Sequence, residues 1–445
     1  MKEINIIGGG LAGAEAAWQI ARRRGRARLF EMKPEKFSAA HKNQDLAELV
    51  CSNSLKSASL ENGSGLLKQE MKLFGSLVIK AAEKFRVPAG EALAVDREKF
   101  SQYITGQLSR EPGIEIVRKE VATIPTEGIT ILATGPLTSD AMAAEIERIT
   151  GSSRLYFYDA IAPIVYADSI NMGIAFRKSR YNKGGDDYIN CPMSAEEYGK
   201  FYDELIHAQT VPLREFEDAK FFEGCLPIEE MARRGKDTLA FGPMKPVGLA
   251  DPRTGNTPCA VLQLRQENIS AQLFSMVGFQ TRMKHPDQQR VFRMIPGLEK
   301  AEFARFGSMH RNTYINSPKL LNPDLSLRVD PRIFFAGQIT GVEGYMESAA
   351  CGMVAGIFAM MKSIGKTCES LPPESAIGSL IKYVTTESSA DFVPMNINFG
   401  LLAPLGAKVK KKDKKKILAD RALETLAGYA GWLDTVLPFD FPQGG

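Results

Sequence analysis

Glycines at 8, 10 and 13 and an acid at 31 are spaced to hold a dinucleotide, and a cysteine at 225 stands where a thiolate could attack. "INII", residues 4–7, reads as a short buried strand, and "GGGLAG" follows at once in the spacing G-x-G-x-x-G. Residues 12–24 read as a helix and "ARLFE" as a second strand ending on Glu31, 18 positions after Gly13. Gly8, Gly10 and Gly13, with Gly9, Leu11 and Ala12 among them, would let the backbone turn tightly and approach a pyrophosphate. The helix N-terminus favours its negative charge, and the acid accepts hydrogen bonds from a ribose. A glycine triplet alone indicates a tight turn; strand, helix and correctly placed acid together indicate dinucleotide binding.

Two later stretches bear on which dinucleotide. "GITILATGP", residues 128–136, is a buried strand ending in Thr134, Gly135 and Pro136, the kind of strand end at which nucleotides bind in such sheets. "RIFFAGQITGVEGYMESAACGMVAG" supplies a strand, a turn rich in glycine (Gly337, Gly341, Gly344) and a long helix of small residues. The positive N-terminus of that helix would suit the pyrimidine half of a reduced flavin better than a nicotinamide, so FAD is expected. Tyr345 would cover the isoalloxazine face or pack the helix start; the glycines around it favour the first.

The thiols need weighing. Cys225, in "FFEGCLPIEE", precedes Pro227 and two glutamates, a pattern that starts a helix. A positive helix end favours thiolate, the glutamates oppose it, and residue type alone makes Cys225 a packing residue. Cys51, in "LVCSNS", sits in a Ser/Asn-rich turn. Cys191, Cys259, Cys351 and Cys368 read as buried or incidental thiols. The six cysteines, spaced by 140, 34, 34, 92 and 17 positions, contain no CxxC pair, so neither a disulfide framework nor a metal site is expected, and the compartment is expected to be a reducing cytoplasm.

Composition, 44% hydrophobic and 24% charged over 445 residues, fits a soluble globular chain with a sizeable core. No secretory signal opens it, and the longest apolar stretch, Ala349 to Met361, is too short to span a bilayer, so no membrane partner is expected. The net charge of +4 is unevenly spread. "KVKKKDKKK" holds Lys408, Lys410, Lys411, Lys412, Lys414, Lys415 and Lys416 against one aspartate, a local +6 that leaves −2 for the rest. Such a run is either a solvated helix face or a phosphate-binding surface that confers affinity without sequence preference.

The fingerprint, the "ATGP" strand end and the "FFAGQITGVEGY" turn are together similar to the glutathione-reductase-type FAD fold. "LFEMKP", "ELVCSNSLKS", "GLLKQEM", "VPAGEALAVDREKFS", "FGPMKPVGLADPRTG", "VGFQTRMKHPDQQ" and "MHRNTYINSPKLL" extend the likeness over essentially the whole chain. In these the sequence resembles the TrmFO family of folate- and FAD-dependent tRNA (uracil-5-)-methyltransferases, related to the MnmG proteins but without room for their extra C-terminal helical domain. The resemblance implies methylenetetrahydrofolate as carbon donor, C5 of the T-loop uridine of tRNA as acceptor, and NADPH or NADH as reductant. No second G-x-G-x-x-G is present, which fits a transient electron donor. It also implies that Cys225, in "EGCLP", adds to carbon 6 of uracil to make carbon 5 nucleophilic. Cys51 would lie beside the flavin in an unassigned role, and His310, in "SMHRNTY", would face folate and flavin, where a structural histidine is nearly as plausible by type.

The expected architecture is α/β: a discontinuous FAD-binding unit from residues 1–155 and 300–445, with residues 156–299 inserted as a mixed α/β domain. The insertion would supply the nucleophile and RNA-facing residues, including Lys245 and Arg253 of "GPMKPVGLADPRTG". Rival readings are the same chemistry on a ribosomal RNA uridine, a small-molecule flavin oxidoreductase, an S-adenosylmethionine methyltransferase, and a noncatalytic RNA-binding flavoprotein.

Overall fold

The computed structural model describes residues 3–152, 155–182, 185–212, 226–388, 391–406 and 409–440. Short runs that are largely apolar and, save in the edge strand Ile114–Arg118, largely buried become parallel strands, which need helices on either side. They form one five-stranded sheet in the order Ile333–Phe335, Ile129–Leu132, Ile4–Ile7, Ala27–Glu31, Ile114–Arg118, every neighbouring pair parallel. Strands from both ends of the chain therefore share a sheet, with Phe334 beside Ile131 and Ile131 beside Ile6.

Helices Leu11–Arg22 and Tyr345–Ser363 follow the first and last of these strands in sequence and lie against each other. Their small residues make the contact close. A Cβ at Gly352 would overlap the carbonyl oxygen of Ala12, and one at Gly356 would come within 2.7 Å of that of Ala16. The surrounding core runs from Ile4 to Ile146 and resumes at Ile315, continuing to Phe439.

A second core, Val165 to Ala301, lies around a six-stranded antiparallel sheet. Its order is Phe176–Arg177, Tyr188–Met193, Ala260–Gln266, Leu273–Met276, Ile164–Tyr166, Phe303–Arg305. The last strand falls beyond residue 300, because its partner is Ile164–Tyr166 rather than the parallel sheet. The antiparallel pair Leu155–Ile161 and Ser308–Tyr314 carries the chain out to this sheet and back.

Polar contacts join the two cores where residues 51–53 lie. Arg97 grips Glu267 through two hydrogen bonds of 2.5 and 3.1 Å. Asn53 donates to the carbonyls of Val95 and Gln266, and Asp96 accepts from the amide of Ile269. The helix Lys414–Val436 packs through Leu418, Ala422, Leu426 and Leu433, leaving its lysine-rich first turn exposed.

Candidate active site

The carboxyl ends of the parallel strands open onto a cleft of about 1090 Å³, counted to its mouth. Gly8, Gly9, Gly10, Leu11, Ala12, Glu31, Thr134, Gly135, Gly337 and Tyr345 all line it. Gly13 and Gly344 stand behind the lining. A Cβ on Gly13 would overlap the carbonyl oxygen of Gly8, so this glycine keeps the turn tight. Gly344 holds φ 113°, with Glu347 and Lys56 crowding the place of its missing side chain.

Two helices start at this cleft. Their N-caps, Gly10 and Gly344, provide no side-chain acceptor for the first-turn amides. Each end thus presents uncapped N–H donors and a positive dipole toward the cleft, the property that binds a pyrophosphate or an anionic ring. A Cβ at Gly10 or Gly135 would meet nothing within 4 Å, so the space above both is open to a ligand. Glu31 accepts from the amides of Gly9 (2.9 Å) and Lys33 (3.0 Å), which fixes its carboxylate at the end of the second strand. These features fit FAD.

Further lining residues lie on the irregular segment 32–50: Lys33, His41, Glu48 and Val50. Lys33 is buried, bonded to the carbonyl of Asp45 and paired with Glu48 at 3.3 Å. Burial, aided by Lys33, pushes the His41 imidazole down to about 4, so it is neutral at pH 7, with Nδ1 2.6 Å from Ser38 Oγ. The folded His41 takes up a proton only near pH 4, whereas the unfolded one does so near 6.5. The unfolded chain therefore holds more protons between those values, and stability falls as pH drops through that window, by at most about 3 kcal/mol. Thermal unfolding of flavin-free protein is expected to weaken more from pH 6.5 to 4 in wild type than in His41→Gln. Parallel curves would remove His41 as the cause.

The Cys51 turn lies at the rim, next to the lining residue Val50. The hydroxyl of Tyr345 accepts from the amides of Cys51 (2.7 Å) and Ser52 (3.2 Å), tying the turn to the helix that begins at the cleft. The carbonyl of Cys51 accepts from Arg305 (3.3 Å) and Arg97 (3.5 Å), and its Sγ lies 3.9 Å from the carbonyl of Ala160. Arg265 holds Ser52 and Asn53 through bonds of 2.7 and 2.8 Å. Burial, with Arg97 nearby, pushes Arg305 down to about 10.

His310 is outside the lining, on Ser308–Tyr314 opposite Asp159, with Nε2 3.1 Å from Ser308 Oγ. Burial and then Arg305 lower its proton affinity. Glu343, inside the glycine-rich turn, accepts from the lining residue Gln338 at 2.8 Å. Burial first, and Asp159 next, push its carboxyl up to about 8.

Cys225 and Lys408 lie outside the described residues. The segment directly after Cys225 is well anchored. Ile228 donates to the carbonyl of Gln280, and buried Glu229 accepts from Thr281 and the amide of Arg282. Glu230 pairs with Arg282, which offsets one of the two acids at this helix start. Burial pushes the thiols of Cys191 and Cys351 up to about 12 and 11, as inert core groups, while Cys259 is exposed. Lys410–Lys412 and Lys414–Lys416 are exposed, as is Lys245. The Arg253 guanidinium is engaged by Asp251 and the carbonyls of Gly173 and Ile174. Among the described residues, no helix is long and apolar enough to cross a membrane.

The glucose inhibited division protein A family model matches residues 3–367. A methylenetetrahydrofolate--tRNA-(uracil-5-)-methyltransferase TrmFO from Geobacter sulfurreducens is 58% identical, over 97% of this chain and 99% of its own. One of the same name from Heliobacterium modesticaldum is 56% identical, over 95% and 97%. Among solved structures, Aquifex aeolicus GidA in its form II crystal superposes with a TM-score of 0.73 at 17% identity, covering 97% of this chain and 73% of that one. That likeness shows a shared α/β fold independently of close sequence identity. With the fingerprint, the Cys51 turn and the terminal glycine turn all gathered at one cleft, and with relatives identical at more than half of their positions from end to end, the chain belongs to the TrmFO branch of the glucose inhibited division protein A family.

Proposed function

We propose that the chain is a folate-dependent methyltransferase acting on C5 of the T-loop uridine of tRNA, position 54. It would hold FAD in the cleft, take its carbon from methylenetetrahydrofolate and its electrons from NADPH or NADH. The observation that carries this reading is the Cys51 turn bonded to Tyr345 at the rim of a dinucleotide cleft, in a chain whose near full-length relatives bear that activity in their names.

Each role falls to groups on this chain. Gly8 to Ala12 and the two uncapped helix starts bind the pyrophosphate and the pyrimidine half of the cofactor, and Glu31 takes the ribose. Bound FAD supplies one-carbon carriage and hydride chemistry. Cys225 adds to carbon 6 of uracil and so makes carbon 5 a nucleophile. Cys51, whose backbone is bonded by Tyr345, Arg97 and Arg305, would lie beside the bound flavin. His310, neutral at physiological pH, hydrogen-bonds the folate. Residues 1–155 and 300–445 would form the cofactor unit, save the strand Phe303–Arg305 that joins the inserted domain's sheet, and residues 156–299 would be the domain that presents Cys225, Lys245 and Arg253 to RNA.

Lys408 to Lys416 meet phosphates. Among the described residues none of these lysines forms an ion pair, whereas Arg22, Arg23, Arg24 and Arg28 each face an acid. Protein incubated with methylenetetrahydrofolate labelled in its methylene carbon, NADPH and unmodified tRNA should place the label on a single uridine, mapped by mass spectrometry. Label absent from RNA, or a methyl arriving only from a sulfonium donor, would sink this reading.

A further inference from the structure

A second cluster of unusual residues lies away from the cleft, at the corner Arg180–Asn182 of the six-stranded-sheet domain. Tyr181 holds φ 57° and ψ 22°, the left-handed region that a bulky side chain rarely occupies and that collects at binding sites. The residue is 58% exposed, an unusual setting for an aromatic held in a strained backbone. Gly248 suits the placement: it holds φ 81°, and a Cβ there would stand a tight 3.1 Å from the Tyr181 ring and from its amide nitrogen, where the 246–249 turn lies against it.

Among the described residues, Arg180 is held by neutral partners. Nε donates to Gln263 Oε1 at 2.8 Å and Nη1 to the carbonyl of Val247 at 3.1 Å, and among the described residues it forms no ion pair. Lys245 and Val247 are exposed on the same turn. Of the nearby acids, Asp187 is turned to the amide of Gly90 at 2.6 Å and Asp251 is paired with Arg253, leaving exposed Asp186.

This corner is joined to the Cys51 turn by one strand. Gln263 and Arg265, two positions apart on Ala260–Gln266, share a face about 7 Å apart. Gln263 carries Arg180, and Arg265 carries Ser52 and Asn53. One strand face thus connects the Arg180 corner, through Gln263 and Arg265, to the Ser52–Asn53 turn that follows Cys51.

We propose that Tyr181 is a stacking platform for an unpaired base of the RNA substrate, with Arg180 and Lys245 taking adjoining phosphates. The strained backbone presents the ring outward, and stacking between a base and an aromatic residue is the usual way single-stranded nucleic acid is held without sequence preference. The inference rests on RNA being the substrate, as proposed above.

The test is binding of an unmodified tRNA transcript, followed by fluorescence, together with thermal unfolding. Tyr181→Gly should weaken binding about tenfold or more, while the melting temperature stays level or rises, because glycine takes this φ without strain. Tyr181→Phe should bind as wild type. A glycine variant with wild-type affinity, or a phenylalanine variant as weak as glycine, overturns the platform. Should Tyr181→Gly lose its fold, Tyr181→Asn tolerates the same backbone and carries the same comparison. Tyr181-dependent binding by a wild type that transfers no label would leave the platform and remove the proposed reaction. Labelling with equal kcat/KM in Tyr181→Gly would do the reverse, and wild type that fails to bind tRNA ends both.

Discussion

Cys225→Ala protein is expected to be isolated yellow, with a full complement of flavin, and to form no methyluridine, a loss of about 10⁴-fold or more, as when a catalytic nucleophile is removed. The cause is chemical rather than structural. Carbon 5 of uracil gains nucleophilic character only while sulfur is attached at carbon 6. The fold should tolerate the change, because the chain after Cys225 is held by the bonds of Ile228 to Gln280 and of Glu229 to Thr281 and Arg282. Flavin content by absorbance and methyl transfer by mass spectrometry separate the two properties. Retained turnover would transfer the role to Cys51.

Gly13→Ala should have the opposite profile, losing its colour first. The added methyl would be driven into the carbonyl oxygen of Gly8, which is backbone and cannot swing aside. Either the helix start shifts or the turn opens, at about 1–3 kcal/mol for such overpacking, and a comparable loss in cofactor binding corresponds to roughly 10–100-fold in affinity. Gly431→Ala supplies the control. It lies in the helix Lys414–Val436 with nothing within 4 Å of its missing Cβ, and should be neutral or stabilising by about 0.5–1 kcal/mol. The flavin-to-protein absorbance ratio and the melting temperature read both. A Gly13→Ala protein with stoichiometric tightly bound flavin would show that the pyrophosphate lies elsewhere.

The cofactor cleft was legible in the sequence because its chemistry is local. Gly8, Gly10, Gly13 and Glu31 act within one strand, turn, helix and strand, and Thr134, Gly135 and Gly337 stand at ends of strands whose apolar runs are readable on their own. The rest of the lining was not, for a physical reason. Lys33, His41 and Glu48 belong to a stretch without regular structure, held over the cleft by distant partners: Ala47 bonds to Gly9, Leu46 to Thr105 and Gln44 to Arg118. Nothing in their spacing announces those bonds. Tyr345 was expected to face the flavin, but its hydroxyl also ties down the Cys51 turn across 294 positions, a link no local pattern encodes. Arg180 and Tyr181 escaped for the same reason, since an exposed tyrosine in a loop is ordinary until its φ angle and its glycine neighbour are known.

The close seating of Gly352 and Gly356 on Ala12 and Ala16 has a consequence for biosynthesis. Ala12 and Ala16 form half of a joint whose other half is translated more than 330 codons later, and the sheet waits equally for Ile333–Phe335. Until then the early helix has a small-residue stripe with no partner, and the emerging chain has no finished pocket for its coenzyme. Such long-range closure slows folding, so the cofactor cleft is completed only after the last of these strands has been made.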